Sequence, residues 1–311
     1  MIYRNIATWG FLSALLVSVV SNKGIAQGRQ NPQFLPYSEV GFGAGTSTYF
    51  GNLAGYRAPL KSLINMPRWN VGLMYTRHFT PRVSARASFT WARIAGDDYT
   101  YNKGAAADNV FYQRNLQFRN DLKEFALIGM YDFIPSGRTP RYRPKVAPYV
   151  LLGVALVAHN PQGLTGRTNF GGNPDGPQQW VSLQPLGTEG QGQPGYAKPY
   201  SLVTVSIPIG LGVRYALNES FNLAAEIRAN PTFSDYLDDV GSKYPNPNDL
   251  ATPLAKAFSN RSLEPKATLT GEDRIIGQLS VVRGGDKTLG DSYLLTSFQI
   301  HYIIPAKIRC P

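Results

Sequence analysis

The sequence predicts an all-β protein: an eight-stranded antiparallel transmembrane β-barrel of the outer-membrane kind with long extracellular loops. Three observations predict it. Eight stretches of about ten residues alternate apolar and polar side chains between Ser38 and Pro305, the connections between them alternate in length, and an export leader precedes them all. A strand in a barrel wall shows successive side chains to opposite faces, so a lipid-facing band reads as apolar residues at every second position.

The elements follow in chain order. Arg4 gives a positive n-region, Ile6 to Val20 an apolar h-region and Gly24-Ile25-Ala26 a small-x-small cleavage site, so residues 1–26 read as a signal peptide. Residues 27–37 form a periplasmic N-terminal segment, 38–305 the barrel and 306–311 a periplasmic C-terminal tail. The first strand, 38 to 50, turns Glu39, Gly41, Gly43 and Gly45 inward, and that run of glycines lets the wall bend. The second spans 68 to 79. In the third, 83 to 96, Val83, Ala85, Ala87, Phe89 and Trp91 face out while Ser84, Arg86, Ser88 and Thr90 face in. The fourth spans 116 to 134. The fifth, 147 to 159, is apolar on both faces. The sixth, 201 to 216, contains Pro208, which has no N–H for the ladder, so a bulge is expected there. In the seventh, Phe221, Leu223, Ala225, Ile227 and Ala229 alternate with Asn222, Ala224, Glu226, Arg228 and Asn230. A charge facing lipid at mid-bilayer costs about 2–4 kcal/mol, so Glu226 and Arg228 must face the lumen. The eighth puts Leu294, Thr296, Phe298, Ile300, Tyr302 and Ile304 on one face and Ser297, Gln299 and His301 on the other.

The links at 51–67, 97–115, 160–200 and 241–291 are long, those at 80–82 and 217–220 are short, and 135–146 is intermediate. Short periplasmic turns alternating with long extracellular loops give this pattern, and an even strand number places both ends in the periplasm. Aromatic residues at strand ends form the two interfacial girdles, Phe79, Tyr131, Phe133, Tyr215 and Tyr302 below and Trp69, Trp91 and Tyr293 above.

Composition bounds the function. The chain has 311 residues and a formal net charge of +11, yet it lacks a stacking motif, basic helix or zinc knuckle, so nucleic acid is not a partner. Its one cysteine, Cys310, allows no intrachain disulfide and no thiol cluster. No G-x-S-x-G, H-E-x-x-H, P-loop or dinucleotide fingerprint occurs, and His78, His159 and His301 lack partners at metal-ligand spacing. No catalytic residue, cofactor or metal is therefore assigned. Asp235, Asp238 and Asp239 crowd one strand end, which reads either as a calcium site or as a solvated acidic terminus.

Three features remain as candidates. Arg77, Arg82, Arg138, Arg141, Arg143, Lys145, Lys307 and Arg309 fall on the periplasmic rim, opposed by Asp132 and Glu219. This rim either attracts lipid headgroups or docks a periplasmic partner, with Arg138, Arg141, Arg143 and Lys145 as the main contacts. The loop from Trp180 to Gly192 is either an ordered plug, with Trp180, Leu183 and Leu186 on the barrel mouth, or a partner surface using Trp180, Gln184 and Glu189. Inside the lumen, Glu39 and Glu226 are expected to neutralise Arg86 and Arg228.

The run Trp180 to Gly192, the segments Ser206 to Asn218, Phe233 to Val240, Arg93 to Asp98 and Arg114 to Arg119, and the closing Cys310-Pro311 resemble a Bacteroidota outer-membrane barrel family of largely unknown function that includes PorG-like barrels of type IX secretion and gliding machinery. The resemblance implies an outer-membrane component that contacts the periplasmic ring of a secretion assembly, with lipid and periplasmic proteins as partners. The expected function is a non-enzymatic anchor or interaction component. The alternative is a small channel or transport-associated barrel, which an eight-stranded wall filled by side chains disfavours.

Overall fold

In the computed structural model, residues 34–53, 59–98, 100, 111, 114–165, 178–262, 283–284 and 290–305 are described. Internal contacts divide the chain into Met1–Leu35 and Pro36–Pro311. The signal peptide, the tail at 306–311, Lys307, Arg309 and Cys310 lie outside the described residues.

The unit from Pro36 is an all-β, closed eight-stranded antiparallel barrel. Its wall runs β1 (Tyr37–Phe50), β2 (Arg68–His78), β3 (Val83–Asp97), β4 (Gln117–Asp132), β5 (Val146–Ala158), a split sixth stave, β10 (Phe221–Pro231) and β11 (Ser292–Ile304). Two short strands at 161–164 and 180–182, β6 and β7, stand above the rim. The sixth stave is β8 (Val203–Ser206) followed by β9 (Ile209–Ala216). Each stave pairs with its sequence neighbour, and β1 pairs with β11 to close the ring. All three shorter connections, at 79–82, 133–145 and 217–220, lie at the end where Ser38 meets Ile304.

Alternation sorts the side chains as the sequence predicts. Phe42, Leu73, Phe89, Phe125, Leu152, Leu211 and Phe298 are exposed on the outer face, while Glu39, Arg86, Glu124, Arg214 and Glu226 are buried inside. Tyr293 corrects the expected upper girdle. It shares the inward parity of Leu295 and His301, is buried, and donates its hydroxyl to Glu124.

Pro208 also departs from expectation. Ala155 pairs with Ser206 and Leu152 with Ile209, so both strands advance by the same number of residues and no bulge exists. Gly153 N–H still donates to the Pro208 carbonyl at 2.9 Å, and only the reverse bond is missing. A lost donor interrupts the ladder without inserting a residue.

Two α-helices and the strands β6 and β7 were not read from the sequence. Helix α1 (Pro59–Asn65) lies in the first long loop and α2 (Pro253–Ser259) in the last. β6 continues β5 along β4 in one register, from Lys123 opposite Ala158 to Arg119 opposite Gln162, and β7 adds to β6. With the long ends of β3 and β4, these strands make a canopy over the mouth.

Candidate functional site

The interior is filled in tiers along the axis. At the short-turn end Tyr37 stacks on His78 at 4.3 Å between ring centroids. Glu39 lies 3.1 Å from His78 Nε2 and 3.5 Å from His301 Nδ1, and Asn222 donates to it at 2.9 Å. Beside it Arg214 pairs with Asp132 at 3.1 Å. In the middle tier Arg86 donates to Glu226 at 2.6 Å, and the Tyr149 hydroxyl donates to the same carboxylate at 2.8 Å. Above that, Arg228 donates to Glu124 at 2.5 Å.

This partly redraws the expected charge network. Arg86 and Glu226 are brought together. Glu39 takes two histidines rather than an arginine, and Arg228 reaches across the lumen to Glu124 instead of Glu39 or Glu226. Glu124, Asp132 and Arg214 were missed, because no inward parity had been assigned along β4 or β9. Parity carried along β4 from Ala126 and Ile128 finds the first two. Beside the middle tier, Gly43, Met74, Arg86, Ser88, Glu226 and Gln299 line a cavity of about 20 Å³, room for about one water. The glycine at 41 makes space of its own: a Cβ there would sit 2.6 Å from His301 Nδ1.

The opposite mouth is closed by the long loops. Tyr49, Leu53, Ile94, Phe118, Leu183, Leu237, Val240 and Phe258 form one apolar core that continues into the barrel through Leu122, Val157 and Leu295. Arg283 and Arg114 bind the loops around it. Arg283 donates to Glu189 at 2.6 Å, Thr188 at 2.8 Å and the carbonyls of Asp239 at 2.8 Å and Ser259 at 3.1 Å. Arg114 holds both oxygens of Asp98 at 2.6 and 2.7 Å and reaches the carbonyls of Asn52 and Arg283.

The sequence from Trp180 to Gly192 belongs to this cap. Arg119 lies over the Trp180 ring at 4.2 Å, and Gln184 donates to the Tyr200 carbonyl at 3.1 Å. Its glycine spacing has a backbone cause: Gly187, Gly190 and Gly192 all adopt positive φ, and a Cβ on Gly190 would collide with the Tyr196 ring. Of the three residues expected on a partner surface, Trp180 and Gln184 are partly exposed and Glu189 is not at the surface. It is buried, held by Arg283, Gly241 N–H and Ser242, and faces no solvent.

The acidic run at 235–239 does not converge on one ion. Asp239 accepts from Thr188, Tyr200 and Arg283. Asp238 turns to the Tyr49 hydroxyl at 2.7 Å, which Asp291 meets at 2.6 Å. Among the described residues no cluster of three or more His, Cys, Asp or Glu is arranged to hold a metal. The Tyr49 oxygen also accepts from Asn52 N–H at 3.1 Å, and one phenolic proton cannot serve two carboxylates. Burial pushes Asp291 up to about 8, and burial with the Asp291 charge raises Asp238 well above the usual carboxylate range. Burial likewise holds His159 down to about 4, neutral and stacked toward Tyr200.

The rim at the short-turn end is strongly basic. Asp132, expected there as a counter-charge, instead points into the lumen. Glu219 is left, and it pairs with exposed Arg141 at 2.9 Å. Arg138 and Lys145 are exposed, the latter with its ammonium 4.7 Å from the Tyr215 ring centre. Half-buried Arg143 acts as a clasp within this rim. It donates to Asn222 at 2.7 Å and to the carbonyls of Pro140, Asn218, Glu219 and Phe221, tying the 133–145 connection to the 217–220 turn.

Solved structures that the chain is similar to include Neisserial surface protein A, at 12% identity and a TM-score of 0.35, covering 85% of this chain and 96% of that one. The outer membrane protein OprG from Pseudomonas aeruginosa matches at 11% identity and a TM-score of 0.34, over 88% of this chain and 99% of that one. Ail, the attachment invasion locus protein of Yersinia pestis, matches at 13% identity and a TM-score of 0.33, over 86% and 97%. No curated protein matches the chain. Residues 28–171, from ahead of β1 to beyond β6, match the family model described as a domain of unknown function, DUF6089.

Proposed function

We propose that the protein spans the outer membrane of a Gram-negative bacterium as a non-conducting anchor and presents its basic periplasmic rim to an envelope assembly, as a PorG-like part of a type IX secretion machine. The observation that carries this reading is closure over the whole length. Ion pairs fill the lumen, a packed cap seals the mouth, and work is left to the outer surfaces. Arg77, Arg82, Arg138, Arg141, Arg143 and Lys145 face Glu219 alone among the described acidic residues of that rim. The exposed apolar belt between Tyr131 and Trp91 supplies the membrane-spanning surface, and residues 1–26 supply the export signal in this reading.

The test replaces Arg138, Arg141 and Lys145 with Gln and leaves the Arg143 clasp in place. Heat-modifiable migration of the triple variant should match wild type, while envelope crosslinks to its acidic partner should disappear. Rim charges mainly speed and orient encounter, so wild-type binding should weaken as the Debye length falls below about 8 Å. Unchanged crosslinks would overturn the docking surface, and stable conductance in planar bilayers would overturn the closed anchor.

A further inference from the structure

The outward face of β2, β3 and β4 changes character where the apolar belt ends. Leu73, Phe89 and Phe125 are exposed within the belt. Above them Trp69 and Trp91 meet edge-to-face with centroids 5.0 Å apart. Arg93 lies over the Trp69 ring at 5.5 Å and is gripped by Asp121 through bonds of 2.5 and 2.8 Å. Lys123, exposed, stands opposite Trp91, and Arg119 stands opposite Ala95. Arg119 is pinned between the Trp180 ring at 4.2 Å and Gln162 at 3.0 Å. Arg68 is exposed beside Trp69 on β2. Arg93, Arg119, Lys123 and Asp121 thus share a face in which neighbouring strands bring side chains within about 5 Å of one another.

Height fixes the environment. Lys123 lies eight residues above Tyr131 on one strand, roughly 20 Å along the membrane normal at a barrel's tilt and so within about 5 Å of the top of an apolar band about 25 Å tall. Elsewhere on the circumference the outward residues near this level are neutral: Thr46 and Thr296 bond each other at 2.7 Å, and Leu156, Val203 and Val205 follow. Uniform attraction to headgroups needs no such clustering on one arc.

We propose that this face binds the phosphates of one acylated, phosphorylated saccharide of the outer leaflet. The inference rests on the barrel spanning the membrane. The guanidiniums are held in place by rings and by Asp121 before any ligand arrives, which suits them to phosphate oxygens. Arg119 and Lys123 are about 13 Å apart along β4, so they match phosphates at the two ends of a short sugar core, with Arg93 between. The apolar belt directly below receives the acyl chains. Leu60 and Ile64, one turn apart on α1 and 71% and 76% exposed, precede Arg68 in the chain.

The full chain is purified in detergent, and native mass spectrometry measures retention of bisphosphorylated lipid A and of its dephosphorylated form. Wild type should hold one bisphosphorylated molecule and discriminate against the dephosphorylated form at least tenfold. Arg119→Gln with Lys123→Gln should abolish that preference, and Arg119→Lys with Lys123→Arg should restore most of it. A variant pair with the wild-type preference, or a wild type indifferent to phosphate, overturns the site. Heat-modifiable migration reads the membrane barrel separately. A wild type that migrates as a folded barrel without phosphate preference overturns the lipid site alone, whereas one that never inserts into lipid overturns both proposals.

Discussion

Replacing Arg86 with Met tests whether the lumen is held by specific pairing or merely by filling. Arg86 is buried and donates to Glu226, so its loss leaves a buried carboxylate without its cation. Breaking a buried pair from one side costs about 3–5 kcal/mol. The Tyr149 hydroxyl still donates to Glu226 at 2.8 Å, which places the expected loss near the lower end, about 3 kcal/mol. For a domain of this size each kcal/mol moves the midpoint by about 2–4 °C, so the drop should be about 6–12 °C. Glu226→Gln alone strands Arg86 and should cost a similar amount. Both changes together remove the two charges and should cost little more than 1 kcal/mol, because an absent pair leaves nothing unpaired. The assay is the temperature at which folded migration is lost in detergent gels. If the single effects add in the double variant, or if Arg86→Met shifts the midpoint by less than about 2 °C, the pairing argument fails.

Two further outcomes follow from the cap and the rim. Asp238 and Asp291 hold a proton in the folded cap that free carboxylates, titrating near 4, would release. The folded state therefore binds more protons between about pH 4 and 8, and cap stability is fully present below that window and falls as pH rises through it. Protease nicking of the 232–291 connection should increase from pH 5 to 8, and Asp291→Asn should flatten the dependence; a pH-independent rate in wild type would refute the shared proton. Arg143→Ala should cost about 2 kcal/mol by releasing the 133–145 connection from the 217–220 turn, read as faster hydrogen exchange at those two segments with the β11 core unchanged.

The wall was legible because its physics is local. Period-two alternation in β10 and β11 states which residues face outward, and connection length states which rim they leave. Partnering inside the lumen is not local. Arg228 stands two residues from Glu226 on one strand yet bonds Glu124 on β4, because register and tilt decide which inward side chains share a height. The cap was less legible still. Arg114 and Arg283 sit in stretches with no periodicity, and only the glycine spacing at 187, 190 and 192 signalled a fixed backbone. Pro208 shows a different limit: its chemistry says which hydrogen bond is missing but not that a residue must be inserted.

The seam between β1 and β11 imposes an order on biogenesis. It runs from Ser38 with Ile304 to Phe50 with Ser292, joining the first and last strands of the wall. Until β11 arrives, β1 and β10 each present an open edge of unpaired N–H and C=O groups, and such edges invite pairing with other chains. Neither edge tolerates hydrocarbon, so the incomplete wall must be kept from both lipid and its neighbours until the final strand is delivered. Contacts that span so much chain form slowly. The wall therefore has open edges for most of its assembly, and pairing of the residues from Ser292 to Ile304 with β1 is what closes them.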